Sequence, residues 1–320
     1  MSDGAAPDRP GPAAGAPPAF GPADGARRTR SGFVALAGRP NVGKSTLTNA
    51  IVGAKVAIVS DKPQTTRRAI RGVATTRDYQ LVLVDLPGVQ RPRDALTGRM
   101  QRRVEHELAD ADAVLFLVNA EQGIGPGDRF IANLLRRSET PVIVAVNKVD
   151  RCSRPRVAEA LAAAAALDVG EEIFPVSART GRGVPTLVEH LVARLPEGPF
   201  FFPVDERTDL SEPTLLAELV REQVLRRTRQ EVPHAVEVEV EEIEEPRDGL
   251  VVVRAVIWVE TASQKGILIG ARGRMIRSIG TAARREIERE LGARVHLELQ
   301  VRVRRSWRSD DRLLDRLGIE

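Results

Sequence analysis

The sequence predicts an α/β fold: a doubly wound, mostly parallel sheet followed by a smaller α+β domain. Three observations carry this. From Phe33 to about Leu195, near-continuous Val/Ile/Leu runs alternate with helical stretches, as expected of parallel strands buried on both faces. A segment punctuated by Pro196, Pro199, Pro203 and Pro213 then breaks the pattern. Beyond it the periodicity reads helix, strand, strand, helix, helix, strand.

A chain of 320 residues, 42% hydrophobic, suits two packed domains. Its 48 basic and 44 acidic residues leave a formal charge of only +4, so the distribution of charge matters more than the total. The single cysteine, Cys152, excludes an intrachain disulfide and suits a reducing compartment. No apolar run reaches the ~18 residues of a membrane span, and the N-terminus lacks the pattern of a secretory signal. The chain is expected in the cytoplasm, as a monomer, with peripheral membrane contact left open.

The first 30 residues contain 8 Ala, 6 Pro and 5 Gly, too little apolar surface to offset ordering entropy. Residues 1–31 are therefore expected to be a disordered tail, with 32–197 as the first domain. Its strands are expected at 33–38, 79–85, 113–120, 141–147 and 172–178. Residues 198–212 form the linker, although Phe200, Phe201 and Phe202 suggest that it packs against a domain. In the second domain, 213–320, Leu216, Leu219, Val220 and Val224 form a helical stripe. Val236, Val238 and Val240 alternate with glutamates as a half-buried strand, and a second strand runs over 251–259. A helix over 274–291 turns Ile276, Ile279, Ala283, Ile287 and Leu291 inward. The last strand alternates from Val295 to Val303.

Gly38 to Ser45 reads GRPNVGKS, a phosphate-binding loop between a strand and a helix. Glycines let successive amides point at phosphate oxygens, and the helix N-terminus adds to the field. Lys44 is expected on the β- and γ-phosphates and Ser45 on Mg²⁺, with Val42, Gly43 and Thr46 in the same cradle. The base is chosen by NKVD: Asn147, Lys148 and Asp150 follow a strand. A carboxylate at Asp150 accepts from both guanine donors, and adenine offers no such pair. This predicts a GTP/GDP site. Asp85 and Gly88 of DLPG are expected to reach Mg²⁺ through water and the γ-phosphate through a backbone N–H. Ser177, Ala178 and Arg179 are expected at the guanine edge. In PQTTR, a threonine is expected to complete the metal shell; Thr66 is favoured over Thr65, but the sequence does not separate the two. The catalytic set is thus Lys44, Asn41, Thr66 and Gly88.

GRPNVGKST, PQTTR, DLPG, NKVD and SAR, in this order and spacing, resemble the Era-type GTPases. PEGPFFFPVDERTD resembles that family's connector, and REQVLRRTRQEVPHAVEVEVEE the start of its second domain; the likeness covers about residues 32–308. Leu86 departs from the family's usual threonine. Val89 stands where some GTPases place a water-orienting glutamine, so that role must lie elsewhere. Asn41 matches an asparagine that holds potassium in related GTPases, which makes K⁺ an expected supplement to Mg²⁺.

Residues 265–308 hold 12 Lys/Arg against 4 Asp/Glu, whereas 231–245 hold seven Glu and no Lys or Arg, so the second domain is polarised. In its basic part Gly270, Ala271, Arg272 and Gly273 form a GXXG turn between helices, the element with which KH domains clamp single-stranded RNA. Lys265, Arg272, Arg274 and Arg277 are expected on phosphates, and Ile267 and Ile269 under the bases. The order of elements resembles the type II KH arrangement of Era proteins. That likeness implies RNA near the 3′ end of small-subunit rRNA, and the small ribosomal subunit, as partners. A degenerate nucleotide fold serving only as an RNA-binding module is disfavoured by the intact Lys44, Ser45, Asp85 and Asp150.

Overall fold

The computed structural model describes residues 28–62, 64–89, 94–170 and 172–319. The tail expected over residues 1–31 lies outside them except at its end. There, β1 (Arg30–Ala37) starts two residues before the expected boundary. The reason is local: the Arg30 guanidinium donates to the carbonyls of Leu195 (2.6 Å) and Ala193 (3.1 Å), which pins the strand's first residue.

Chain order then gives α1 (Lys44–Val52), β2 (Ile70–Thr75), β3 (Tyr79–Asp85), α2 (Ala95–Asp110), β4 (Ala113–Asn119) and α3 (Pro126–Leu135). Next come β5 (Val142–Asn147), α4 (Arg154–Ala165), β6 (Ile173–Pro175) and α5 (Val184–Arg194). The six strands lie in the order β2-β3-β1-β4-β5-β6, all parallel except β2 against β3. The antiparallel β2 is an edge strand absent from the sequence reading; IRGVAT is too short, and broken by Arg71 and Gly72, to stand out. Both faces are covered. Phe116, Val118, Ile131 and Leu135 pack on one side, and Leu36, Leu47, Leu187 and Leu191 on the other. This double burial explains the unbroken apolar runs.

The Phe-rich connector is packed, not free. Gln80 Oε1 accepts from the amides of Phe201 (2.8 Å) and Phe202 (2.9 Å), and Phe33 and Phe201 stack with centroids 4.9 Å apart. The second domain follows as α6 (Glu212–Arg227), β7 (Glu237–Arg247), β8 (Leu250–Val259), α7 (Ala262–Ile269), α8 (Arg274–Leu291), β9 (Arg294–Val303) and α9 (Asp311–Arg316). Its sheet runs β7-β8-β9, with β8 and β9 parallel. Leu216, Leu219, Val220 and Val224 of α6 and Ile279, Ala283 and Ile287 of α8 are buried against it. Helix α9 was missed because only Leu313, Leu314 and Leu317 signal it, over fewer than two turns.

Several contacts tie the domains together, among them the pair of Lys55 with Glu222 at 2.6 Å. Leu96 and Met100 of α2 join Trp258, Trp307, Leu313, Leu314 and Leu317 in a shared apolar cluster. Beside it lies a buried ionic cluster. Arg67 donates to Glu237 Oε2 (2.7 Å), to the carbonyl of Val236 (2.6 Å) and to that of His234 (3.0 Å). Its guanidinium stacks 5.5 Å from the centroid of Trp307. Arg68 donates to Glu218 (2.6 Å) and to the carbonyl of Leu317, while Arg221 grips Glu218 and the carbonyl of Thr65. The side chains of Arg67, Arg221 and Glu237 are fully buried.

Burial alone would raise the Glu237 carboxyl, but Arg68, Arg221 and Arg67 outweigh it and hold the group at about 2. A depressed carboxyl stabilises the fold fully above its ordinary range, and that contribution is lost as pH falls towards 2. Glu237→Gln leaves the buried Arg67 without the carboxylate it holds at 2.7 Å, at an expected cost of about 3–5 kcal/mol. Urea denaturation of wild type and variant measures this. The variant should also lose part of the wild type's stability gain between acid and neutral pH.

Candidate nucleotide and RNA sites

The nucleotide site sits at the C-terminal ends of β1, β3 and β5, where helices leave the sheet. Gly38 ends the first strand turn and Lys44 opens α1. The Lys44 ammonium, almost fully buried, donates to the carbonyls of Gly38 (3.2 Å) and Arg39 (3.3 Å). Burial lowers its pKa and Asp85 partly restores it. Val42 is fully buried and anchors the loop from beneath. Gly43 has φ +104°, and a Cβ there would stand 2.4 Å from Asn147 Nδ2. A glycine is needed for both backbone and space.

Three oxygens converge beside Lys44. Ser45 Oγ donates to Asp85 Oδ2 at 2.6 Å, and Thr66 Oγ1 lies 3.3 Å from Asp85 Oδ2 and 3.1 Å from Ser45 Oγ. Asp85 Oδ1 is buried with no hydrogen-bond partner. Burial pushes the Asp85 carboxyl up, opposed by Lys44, Ser45 and Thr66. One carboxylate, two hydroxyls and an orphaned carboxylate oxygen form a hard-oxygen set that fits Mg²⁺. Thr65 is turned elsewhere: its hydroxyl donates to the carbonyl of Lys62 at 2.6 Å. The geometry therefore separates the two threonines that sequence left adjacent, and brings Thr66 to the site.

The base-reading side is assembled from three loops. Asn147 Nδ2 donates to the carbonyl of Val42 (2.9 Å), and its Oδ1 accepts from the amides of Lys148 (2.8 Å) and Ala178 (3.0 Å). Lys148, at φ +67°, donates to the carbonyl of Asn41 (2.7 Å). Asp150 is exposed, with Oδ1 held by Ser177 Oγ at 2.8 Å, and Arg179 beside it is exposed too.

Asn41 Nδ2 donates to the carbonyl of Asp61 (2.6 Å), which joins the phosphate loop to the segment before Thr66. Gly88 packs on Pro40 so closely that a Cβ would lie 2.8 Å from it, while Leu86 and Val89 are buried in the core. Asn41, Lys44, Ser45, Thr46, Thr66 and Gly88 line one depression. Sequence reasoning missed its far wall: Ile58, Val59, Ser60, Lys62 and Gln64. Pro63, the first residue of PQTTR, lies outside the described residues.

In the second domain the GXXG turn stands where α7 meets α8. Gly270 (φ +68°), Arg272 (φ +53°) and Gly273 (φ +73°) all take positive φ, which bends the chain sharply with little side-chain cover. Arg272, Arg274 and Arg277 are exposed and Lys265 half-exposed; among the described residues none of the four is ion-paired. Beside the turn runs a depression lined by Gly273, Ile276, Arg277, Gly280, Leu297 and Leu299. Ile267 and Ile269, expected under the bases, lie outside this lining and are 49% and 37% exposed. Ile276, Leu297 and Leu299 are the apolar residues of this depression.

Comparison with known proteins agrees with this geometry. The family described as 50S ribosome-binding GTPase matches residues 33–148, and the KH domain family matches 231–308. GTPase Era of Mycolicibacterium paratuberculosis is 48% identical over 295 residues, covering 90% of this chain and 98% of that protein. The chain belongs to the Era family of GTPases. GTPase Era of Caldanaerobacter subterraneus subsp. tengcongensis is 46% identical over 90% of the chain. Two solved Era structures superpose with TM-score 0.87 at 36% identity, over 91% of this chain and 99% of theirs. One holds MgGDPNP and nucleotides 1506–1542 of 16S ribosomal RNA; the other, an Aquifex aeolicus Era variant, holds GDP·AlF4⁻. Among the described residues no helix is long and apolar enough to cross a membrane.

Two substitutions test the nucleotide site. Asp150→Asn should weaken GTP binding and shift preference to xanthosine nucleotides, whose ring pairs with an amide; titration of both ligands reads it. Gly43→Ala should cost at least about tenfold in guanine-nucleotide affinity, because the added methyl displaces the Asn147 amide and strains a left-handed backbone. Unchanged GDP binding by Gly43→Ala would show that Asn147 is not held as described.

Proposed function

We propose that this GTPase binds the single-stranded 3′ region of small-subunit rRNA on its GXXG face, acts in assembly of the small ribosomal subunit in the cytoplasm, and passes its nucleotide state to the RNA-binding domain through residues 65–68. The observation that carries the reading is the joint presence of two complete sites: the Ser45–Asp85–Thr66 oxygen set and the basic GXXG depression. The domain limits given above, 32–197, 198–212 and 213–320, belong to the same proposal.

The chemistry follows from the residues. Lys44 and the loop amides hold the β- and γ-phosphates, and the amide of Gly88 meets the γ-phosphate. Ser45, Thr66 and Asp85 hold Mg²⁺, which when bound neutralises charge developing on the transferred phosphoryl group. Val89 offers no group to orient water, so intrinsic hydrolysis is expected to be slow. Asn41 has committed its Nδ2 to Asp61, which leaves Oδ1 for K⁺. Hydrolysis is therefore expected to run faster in potassium than in sodium. Asn41→Ala should remove that difference while nucleotide stays bound; equal rates of the wild type in the two salts would contradict the potassium role.

On the second domain, Lys265, Arg272, Arg274 and Arg277 hold phosphates while bases lie over Ile276, Leu297 and Leu299. Affinity should fall steeply as salt rises. Gly273→Asp is the cleaner probe: a Cβ there meets only Ile276 Cγ2 at 4.0 Å, whereas at Gly270 it would stand 2.7 Å from Met275 Cβ and disturb the turn. Gly273→Asp should lose most RNA affinity with GTP binding retained. Crosslinking followed by sequencing of the bound RNA tests the target. Recovery of small-subunit rRNA 3′ ends supports the reading, and consistent recovery of another RNA class replaces it.

A further inference from the structure

The wall of the phosphate depression that includes Ile58, Val59, Ser60 and Gln64 contains a cation with no assigned task. Lys62 lines the same depression as Asn41, Lys44, Ser45, Thr66 and Gly88, and its side chain is only 25% exposed. The backbone around it is fixed on three sides. Lys62 N donates to Ser60 Oγ (3.1 Å), Lys62 O accepts from Thr65 Oγ1 (2.6 Å), and the neighbouring Asp61 carbonyl accepts from Asn41 Nδ2 (2.6 Å). These bonds tie the residue both to the phosphate loop and to the turn that delivers Thr66.

Its charge is poorly matched by the protein. Among the described residues its one carboxylate partner is the chain neighbour Asp61, at 3.3 Å and 81% exposed, and such an exposed pair is weak. The surroundings are already positive. Burial, then Arg67, outweighs Glu231 in lowering the pKa of His234, with smaller contributions from Arg308 and Lys62. A loosely paired ammonium in the wall of a phosphate-binding depression has an anion as its natural partner. The reaction also needs one: charge spreads over the γ-phosphoryl oxygens in the transition state, and the position after DLPG holds the apolar, buried Val89.

We propose that Lys62 is a catalytic residue for GTP hydrolysis, its ammonium meeting the γ-phosphoryl oxygens of bound GTP. The inference rests on the reading that the Ser45–Asp85–Thr66 site holds GTP. A water oxygen bonds to the γ-phosphorus as the bond from that phosphorus to the β–γ bridging oxygen breaks. The electron pair leaves with GDP, and the water protons pass to the released phosphate and to solvent. Lys62 stays protonated throughout and exchanges no proton; it lowers the barrier by charge alone. Because GDP lacks the γ-phosphate, the same contact makes Lys62 a discriminator between GTP and GDP, which Lys44 on both phosphates is not.

The test uses the full chain with Lys62→Gln and Lys62→Arg. Single-turnover hydrolysis is measured in potassium and in sodium, with titrations of GDP and GDPNP. A side-chain cation on the transferred group is worth up to about 10³–10⁵ in rate when fully enclosed; for this partly exposed lysine, Lys62→Gln should slow hydrolysis by about tenfold or more. The slowing should appear in both salts, which separates it from any monovalent-ion effect. GDP affinity should stay within about twofold, GDPNP affinity should fall several-fold, and Lys62→Arg should recover the GDPNP preference. Wild-type rate and GDPNP-to-GDP ratio in Lys62→Gln would overturn the proposal. So would an equal loss of affinity for both nucleotides, which would mark Lys62 as a structural part of the loop. A wild-type chain that fails to bind GTP would instead defeat the nucleotide-site reading itself.

Discussion

Thr66 and Arg67 are adjacent in sequence and belong to different domains in space. The hydroxyl of Thr66 is held between Ser45 and Asp85 at the metal site, and the guanidinium of Arg67 is buried against Glu237 and Trp307. One peptide bond therefore joins the threonine beside Ser45 and Asp85 to the core of the KH domain. A residue later Arg68 repeats the pattern with Glu218 and Leu317, and a residue earlier the Thr65 carbonyl is gripped by Arg221. The segment cannot move at one end without breaking contacts at the other.

The chemistry of these contacts makes the link stiff. Buried ion pairs add little net stability, but removing one partner leaves an uncompensated charge and is costly. A displacement that drew Arg67 away from Glu237 would do the same. The cluster thus favours two discrete arrangements, docked or undocked, over a graded shift, and discrete states are what a switch requires. Helix α2, which follows DLPG, adds a second tie through Leu96 and Met100 and through Arg99 with Asp311 and Asp315. The segment of Thr66 and the helix after DLPG are therefore both packed on the second domain.

The parts legible in the sequence are those whose function is carried by short-range backbone geometry. GRPNVGKS, NKVD and the GXXG turn each place their groups within a few residues, so the pattern and the structure say the same thing. The buried runs of β1, β3, β4 and β5 were legible because burial on both faces leaves no polar residue to blur them. The edge strand β2 and the short α9 were not, since each depends on a neighbour to exist. Least legible was the interface. Arg67 ends a motif read only for its threonines and Arg68 follows it, and Glu237, 170 residues after Arg67, reads as one glutamate of an alternating strand. A single sequence holds no sign that these residues meet. The same limit hid Lys62, whose neighbourhood is created by the turn that Asn41 and Thr65 hold in place.

The central claim is that nucleotide state and RNA affinity are two readings of one arrangement, joined through residues 65–68. RNA affinity measured by titration with GDP and then with GDPNP tests it most directly. The account predicts affinities that differ by about fivefold or more, the lower bound of typical coupling, with RNA changing the GDPNP-to-GDP preference by the same factor, as linkage requires. Identical RNA affinities in the two nucleotide states would contradict it, and would leave two independent binding domains sharing a buried but silent interface.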